Sequence, residues 1–315
     1  MKKTLIAATA MATLMTSAAS AETIGVTMAL FDDNFLTVLR NGMIDMADNM
    51  EGVELQVEDA QNDVAKQLNQ INNFIASGVD AVIVNPVDTS ATQAMTSAAE
   101  AAGIPLVYVN REPINVDTLP DNQAFVASDE RESGTLETLE VCKILAEKGK
   151  DPANVYVMMG ELSNQAAMQR TADIHDVIEA GDCAVELNIL DEQTALWMRD
   201  RAQDLMTNWL TTGEPFDAVI SNNDEMAIGA ILSMKANGID MDDVVVGGID
   251  ATVDGLAAMA AGDLDVTVFQ DAAGQGAGAL NAALSLSRGE DVEQKVYVPF
   301  QLVTPENMAE FTTKN

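Results

Sequence analysis

The chain has 315 residues, with 16 Lys and Arg against 50 Asp and Glu, one His and two Cys, for a formal net charge of −34. That length allows one large or two medium domains, and a hydrophobic content of 48% excludes a disordered acidic chain, which would be poor in apolar residues. So few bases exclude a nucleic-acid partner, because phosphate neutralisation needs clustered Lys and Arg.

Residues 1–21, MKKTLIAATAMATLMTSAASA, read as a secretion signal. Lys2 and Lys3 form a positive start, Leu5–Met15 an apolar stretch and Ala19-Ser20-Ala21 a small-residue cleavage site. The apolar run is too short to span a bilayer, and no later stretch is long and apolar enough. Cleavage after Ala21 would remove two lysines, taking the charge from −34 to −36 and leaving Glu22 first. No Cys adjoins the cleavage site to carry a lipid, so an exported, soluble chain without a membrane anchor is expected.

Beyond Ala21, strand-length apolar runs alternate with helical stretches. Thr23–Leu30 reads as a strand, Phe35–Asn49 as a helix, Val53–Glu58 as a strand and Val64–Ala76 as a helix with Val64, Leu68, Ile71 and Ile75 on one face. Ala81–Val84 is a strand ending at Asn85-Pro86, Thr89–Ala101 a helix and Pro105–Val109 a strand, before a loop from Glu112 to Gln123. The alternation restarts with strand Ala124–Ala127 and helix Ser133–Lys148. Strands Val155–Met159 and Val185–Leu190 flank helix Ala166–Ala180. Helix Ala195–Thr212, strand Ala218–Ser221, helix Asp224–Ala236 and strand Val244–Gly247 follow. Helix Val253–Ala261, strand Val266–Gln270, helix Ala272–Ser287 and a last extended segment Val296–Val303 complete the chain. Two such series, meeting near Ala127–Asp129, predict an α/β protein of two lobes with parallel sheets covered on both faces.

Cys142 falls in helix Ser133–Lys148, and Cys183 falls just before strand Val185–Leu190. Export permits a disulfide, but the sequence leaves a bridge and two buried thiols equally open. Without a CxxC pair, and with His175 the sole histidine, neither a metal nor a catalytic role is expected.

Open α/β sheets bind ligands beyond the carboxyl ends of their strands. The residues there are Phe31-Asp32-Asp33-Asn34-Phe35, Asn85, Asn110-Arg111-Glu112, Asn222-Asn223-Asp224, Gly248-Ile249-Asp250 and Gln270. Carboxylates, carboxamides and a guanidinium offer paired hydrogen bonds to neighbouring hydroxyls, and aromatic faces cover the C–H face of a sugar or cyclitol ring. No activated nucleophile, strand-end histidine or GxGxxG or GxxxxGK[ST] phosphate cradle accompanies them, so the inventory suits polyol binding and not catalysis. Taken singly, Asp33, Asn85, Asn223 and Asp250 read more safely as helix caps or turn formers than as ligand contacts. Trp209 reads as core and His175 as structural.

These residues resemble the periplasmic sugar-binding proteins of the ribose-binding type over essentially the whole mature chain. Ser221–Ala230 (SNNDEMAIGA) is similar to the family's QNDEMALGA segment, Gly248–Gly255 (GIDATVDG) to GFDGTPDG, Val84–Asp88 (VNPVD) to INPTD, and Val109-Asn110-Arg111 to LDR. The resemblance implies ligand contacts from Asp33, Phe35, Asn85, Asn110, Arg111, Arg170, Trp197, Asn223, Asp250 and Gln270. Departures from ribose binders are Asp33 for Asn, Asn110 for Asp, Trp197 for Phe, and Leu36 where a second stacking Phe stands. A ring held between Phe35 and Trp197 then suits a six-membered ligand better than ribose. Phe31–Thr37 (FDDNFLT) and Tyr108–Pro113 (YVNREP) look most like the inositol- and rhizopine-binding branch. The D-x-D-x-[DN]-G calcium loop of galactose- and glucose-binding relatives is missing, so no structural metal and no cofactor is expected.

The resemblance further implies two Rossmann-like lobes of the type I periplasmic binding protein fold, joined by a three-segment hinge. Residues 22–127 with 270–300 would form the N-terminal lobe, and 128–269 with 301–315 the second. Crossovers are expected near Ala127–Asp129, Phe269–Asp271 and Tyr297–Val303. It implies a periplasmic monomer that closes over its ligand and presents it to an ABC permease in the inner membrane, with a sensory co-receptor for a sugar as the alternative. Formal charges at the implied site balance, Asp33 and Asp250 against Arg111 and Arg170, which fits a small neutral polyol. The surplus acid is assigned to outer helical faces, in runs such as Asp129–Glu132 and Asp240–Asp243.

Overall fold

A computed structural model describes residues 21–315; the expected secretion signal, apart from Ala21, lies outside the described residues. The first part of the chain forms β1 (Glu22–Met28), α1 (Asn34–Asp48), β2 (Val53–Asp59), α2 (Val64–Ser77), β3 (Ala81–Val84), α3 (Thr92–Ala102), β4 (Leu106–Val109) and β5 (Gln123–Ala127). Next come α4 (Glu130–Glu147), β6 (Ala153–Met159), α5 (Gln165–Ala180), β7 (Leu187–Thr194), α6 (Arg199–Thr212), β8 (Ala218–Ser221), α7 (Asp224–Ala236), β9 (Val245–Gly247) and α8 (Val253–Ala260). The last elements are β10 (Thr267–Phe269), α9 (Ala272–Ser287), β11 (Lys295–Tyr297) and β12 (Gln301–Val303).

Two parallel sheets carry the fold. The first has the order β11-β5-β4-β3-β1-β2 and the second β7-β6-β8-β9, with β10 and β12 paired antiparallel beside it. Isolated bridges Gly247–Val266 and Asp250–Phe269 tie the β10 segment to the β9 edge. Strands β3, β4 and β5 are buried throughout, as strands covered on both faces must be. On one face of the first sheet, Ile24, Val26 and Ile83 pack with Leu39 and Met43 of α1 and Leu280 and Ala283 of α9. On the other, Val82, Val84 and Tyr108 meet Ile71 and Phe74 of α2 and Met95 of α3. The second sheet is enclosed likewise, Tyr156 and Met158 on one side with Met206 and Trp209, Val155 and Val157 on the other with Val141 and Ile174. Trp209 is core, stacked on Tyr156 at 4.4 Å between centroids, with its Nε1 donating to Asp191.

The chain passes between the sheets three times: from β5 through Ser128 to α4, from β10 through Gln270 to α9, and from β11 to β12. The last passage differs from the single extended segment expected over Val296–Val303. The run divides at Val298–Phe300, where Pro299 has no N–H for a ladder; β11 pairs with β5 and β12 with β10. Helix α6 begins at Arg199 rather than Ala195, because Leu196 and Trp197 take left-handed backbone angles (φ 59° and 66°) that interrupt a helix. Strand β7 runs on to Thr194, past the expected end at Leu190, pairing with β6 across a bulge at Val155/Tyr156. His175 lies on the exposed side of α5, bonded to Glu192 at 2.8 Å.

Cys142 and Cys183 form a disulfide, Cα atoms 5.4 Å apart, joining α4 to the segment before β7. The question the sequence left open is thereby answered. Closing a loop over a separation of 41 residues is worth about 4 kcal/mol in the chain-entropy view. Replacing both cysteines by serine is expected to lower the urea-unfolding free energy by about 2–4 kcal/mol. Reductant added to the wild-type protein should reproduce that loss, which equilibrium unfolding with and without dithiothreitol will measure.

Candidate ligand-binding site

Residues just beyond the strand ends of both sheets surround one cavity. From the first lobe come Asp33, Phe35, Leu36, Asn110 and Arg111; from the second come Glu130, Asn164, Ala166, Arg170, Trp197, Asn223 and Asp250; Gln270 enters from the hinge. Nine of the ten residues singled out in the sequence therefore line one space. Asn85 does not. It lies fully buried behind Asn110, accepting from Ala29 N at 3.3 Å and donating to Asn110 Oδ1 at 3.2 Å, so it braces a wall residue.

Local structure explains each placement. Asp33 and Asn223 are the N-caps of α1 and α7, each spending an Oδ1 on a helix N–H (Leu36 at 2.8 Å, Met226 at 3.0 Å) while still lining the cavity. Capping and site-lining thus coexist at these positions. Asp250 caps nothing; Thr252 caps α8, and Asp250 sits at φ 118° with its carbonyl held by Asn315 Nδ2 at 2.8 Å. The same amide donates to Gln270 O at 2.7 Å, so one side chain holds two cavity segments from behind. Arg111 is anchored by its Nη1 on Pro86 O at 2.9 Å.

Trp197 is fixed on three sides. Its left-handed backbone turns the indole inward, its Nε1 donates to Asn164 Oδ1 at 3.0 Å, and its ring lies flat against Gly160, where a Cβ would come within 2.2 Å. The lobes meet at both rims of the cavity. Thr89 N and Oγ1 reach Ser163 O at 3.0 and 3.1 Å, Asn164 Nδ2 reaches Val87 O at 3.1 Å, and Asn34 Nδ2 reaches Glu225 Oε1 at 2.6 Å.

The profile of the periplasmic binding protein domain matches residues 24–291, both lobes included. The chain belongs to the periplasmic binding protein family. This binding protein is 64% identical, over the whole length of both chains, to a candidate rhizopine-binding protein of Rhizobium meliloti. A solute-binding protein of an ABC transporter from Bacillus halodurans, solved with bound myo-inositol, superposes with a TM-score of 0.87 at 42% identity, covering 95% of this chain and all of the other. The Caulobacter myo-inositol-binding protein, also solved with myo-inositol, gives 0.81 at 28% identity over 92% and 96% of the two chains.

The charge of the binding protein's cavity departs from the balance expected. Glu130, assigned in the sequence to a solvated acidic run, is instead buried, its carboxylate gripping Arg170 at 2.7 and 3.0 Å. Neighbours Asp129 and Glu132 stay at the surface, as do Asp240, Asp242 and Asp243. The cavity therefore holds three carboxylates to two guanidiniums. Arg170 also donates to Asn222 O at 2.7 Å and Gln270 Oε1 at 3.3 Å, and its Nη1 is 3.9 Å from Asp250. Burial works against the Arg170 charge most strongly, but the charge and hydrogen bonds of Glu130, with Asp250 and Glu137, together outweigh it and keep the guanidinium protonated. Burial pushes the carboxyls of Asp33 and Asp250 above the usual range, opposed at Asp33 by the Leu36 N–H and Arg111 and at Asp250 by Arg170. Gln270 Nε2, buried on the cavity wall, has no acceptor among the described residues.

Glu130, Asn164 and Ala166 escaped the sequence reading. Glu130 is the first residue of α4 and Asn164 the N-cap of α5, and the one available signal was their place at the starts of these helices. Among the described residues no group of acids, His and Cys is arranged to hold a metal ion.

The Gly160 loop cannot yield to a larger side chain, because its N–H and carbonyl are held by Asn222 Oδ1 at 3.0 Å and Thr194 Oγ1 at 2.6 Å. Gly160→Ala is expected to displace the indole and cost at least about tenfold in ligand affinity, with the melting temperature of the free protein within about 4 °C of wild type. Calorimetric titration alongside a thermal melt checks this.

Proposed function

We propose that the protein captures a cyclitol of the myo-inositol kind in the periplasm and delivers it, as a monomer, to an ABC permease of the inner membrane. The observation that carries the reading is the cavity between the lobes, lined by the aromatic side chains of Phe35 and Trp197 together with carboxylates, amides and guanidiniums from both sides. Such a frame offers paired hydrogen bonds to vicinal hydroxyls and apolar faces to ring C–H groups. Myo-inositol in the Bacillus halodurans and Caulobacter structures supports the same ligand class. Asp33, Asn110 and Arg111 would grip the ring from the first lobe, Arg170, Asn223 and Asp250 from the second and Gln270 from the hinge, with Asn85 steadying Asn110. The units 22–127 with 270–300 and 128–269 with 301–315 would close as bodies, strengthening these bonds by excluding water.

The surplus carboxylate favours a second reading, in which one ring substituent is an ammonium. Glu130 is spent on Arg170, leaving two carboxyl groups, Asp33 and Asp250, opposite the one guanidinium of Arg111.

Calorimetry of ligand-free protein with myo-inositol, ribose, glucose and an aminodeoxyinositol tests both. Micromolar or tighter binding of a cyclitol is expected, and no heat from any of the four would overturn the proposal. Preference for the amine over myo-inositol selects the second reading. Trp197→Ala and Asp250→Ala are each expected to weaken cyclitol binding at least tenfold, about 1.4 kcal/mol.

Export through residues 1–21 is part of the same reading. Glu22, which would become the first residue, is already engaged, its Oε2 2.5 Å from Arg288 Nη2. Intact-mass measurement on a periplasmic extract should give a chain beginning at Glu22; a mass retaining the first 21 residues excludes cleavage there.

A further inference from the structure

Asn164 occupies the N-cap position of α5 but makes no side-chain bond to its own helix. Asp33, Asp63, Asp129, Asn223, Thr252 and Asp271 all do so for theirs. Its amide is turned elsewhere. Oδ1 accepts the Trp197 indole N–H at 3.0 Å, while Nδ2 donates across the cleft to Val87 O at 3.1 Å and to Ser163 Oγ at 3.3 Å. One residue earlier, Ser163 O takes two bonds from Thr89 of the opposite lobe. At this rim, then, the second lobe touches the first through the same planar group that aligns a cavity wall. The opposite rim, Asn34 to Glu225, carries no bond to Trp197.

A carboxamide is rigid, so fixing its Nδ2 on Val87 fixes the direction in which Oδ1 faces the indole. When the lobes part, the Val87 bond must break, and the amide is free to rotate away from Trp197. We propose that Asn164 is a positioning residue that couples lobe closure to the orientation of Trp197, so that the indole is locked over the ring only when the lobes have met. This rests on the cavity being the ligand site. It assigns Asn164 a task beyond lining that site, since its effect on affinity passes through the Trp197 N–H.

A double-mutant cycle with myo-inositol as the probe tests the coupling. By calorimetry, Asn164→Ala is expected to weaken binding about fivefold in the wild-type background but less than about twofold in the Trp197→Phe background, where a ring remains and the N–H is gone. Equal losses in both backgrounds, or no loss in either, overturn the proposal, as does a fall in melting temperature with affinity unchanged. A second measurement needs no ligand. In nitrogen-15 spectra of the free, open protein, the Trp197 indole N–H, assigned by its disappearance in Trp197→Phe, should sit and exchange alike in wild type and Asn164→Ala, because the amide has already turned away. The Trp209 signal, held by Asp191, should stay in place. A Trp197 signal that Asn164→Ala moves in the free protein shows that the bond outlasts opening and overturns the coupling. Failure of the wild-type protein to bind myo-inositol counts against the proposed ligand alone and leaves the spectra to decide.

Discussion

A guanidinium taken out of water costs several kcal/mol unless its donors are met, and the cavity of this protein is built around meeting them at Arg170. Glu130 takes two of its N–H groups, Asn222 O another, and Gln270 Oε1 a fourth bond, with Asp250 close by. Those partners come from the start of α4, the end of β8, the hinge after β10 and the turn after β9. One buried cation thus draws four separate segments toward a single point, and the second lobe's half of the cavity is the space they leave. Removing one partner would strand a charge, so the group acts as a unit.

The first lobe solves its half differently. Its polar wall residues are braced by neutral amides: Asn85 behind Asn110, and Gln275 on Asn110 Nδ2 at 3.3 Å and Ser128 at 3.0 Å. Arg111 leans on a backbone carbonyl instead of a carboxylate. One wall is set by an ion pair and the other by amide chains and caps, which leaves Asp33 and Asp250 facing the interior with acidity lowered by burial.

Most of the fold was readable because strands covered on both faces must be apolar runs, and β3, β4 and β8 are such runs in the sequence. Strand ends then marked Asp33, Asn110, Arg111, Asn223, Asp250 and Gln270 by chemistry alone. Trp197 and Arg170 lie on other elements, and only their resemblance to a family pattern pointed to them. What stayed hidden has a common cause: long-range partners decide it. The burial of Glu130 follows from where Arg170 lies, and nothing within the acidic run separates it from exposed Glu132. The left-handed pair Leu196–Trp197 carries no glycine to announce it, so helical periodicity ran straight through. The break between β11 and β12 was masked because both halves are extended; pairing partners, not local propensity, divide them.

The three passages of the chain between the sheets bear on how a ligand is chosen. A single tether would let the lobes twist, slide and tilt; three side by side suppress twist and slide and leave one soft rotation. Phe35 and Trp197, standing on opposite lobes, are then brought back into the same registry at every closing stroke. The two rings stand 162 positions apart in the sequence. Selection by ring thickness becomes possible in a site whose two walls are built by different parts of the chain.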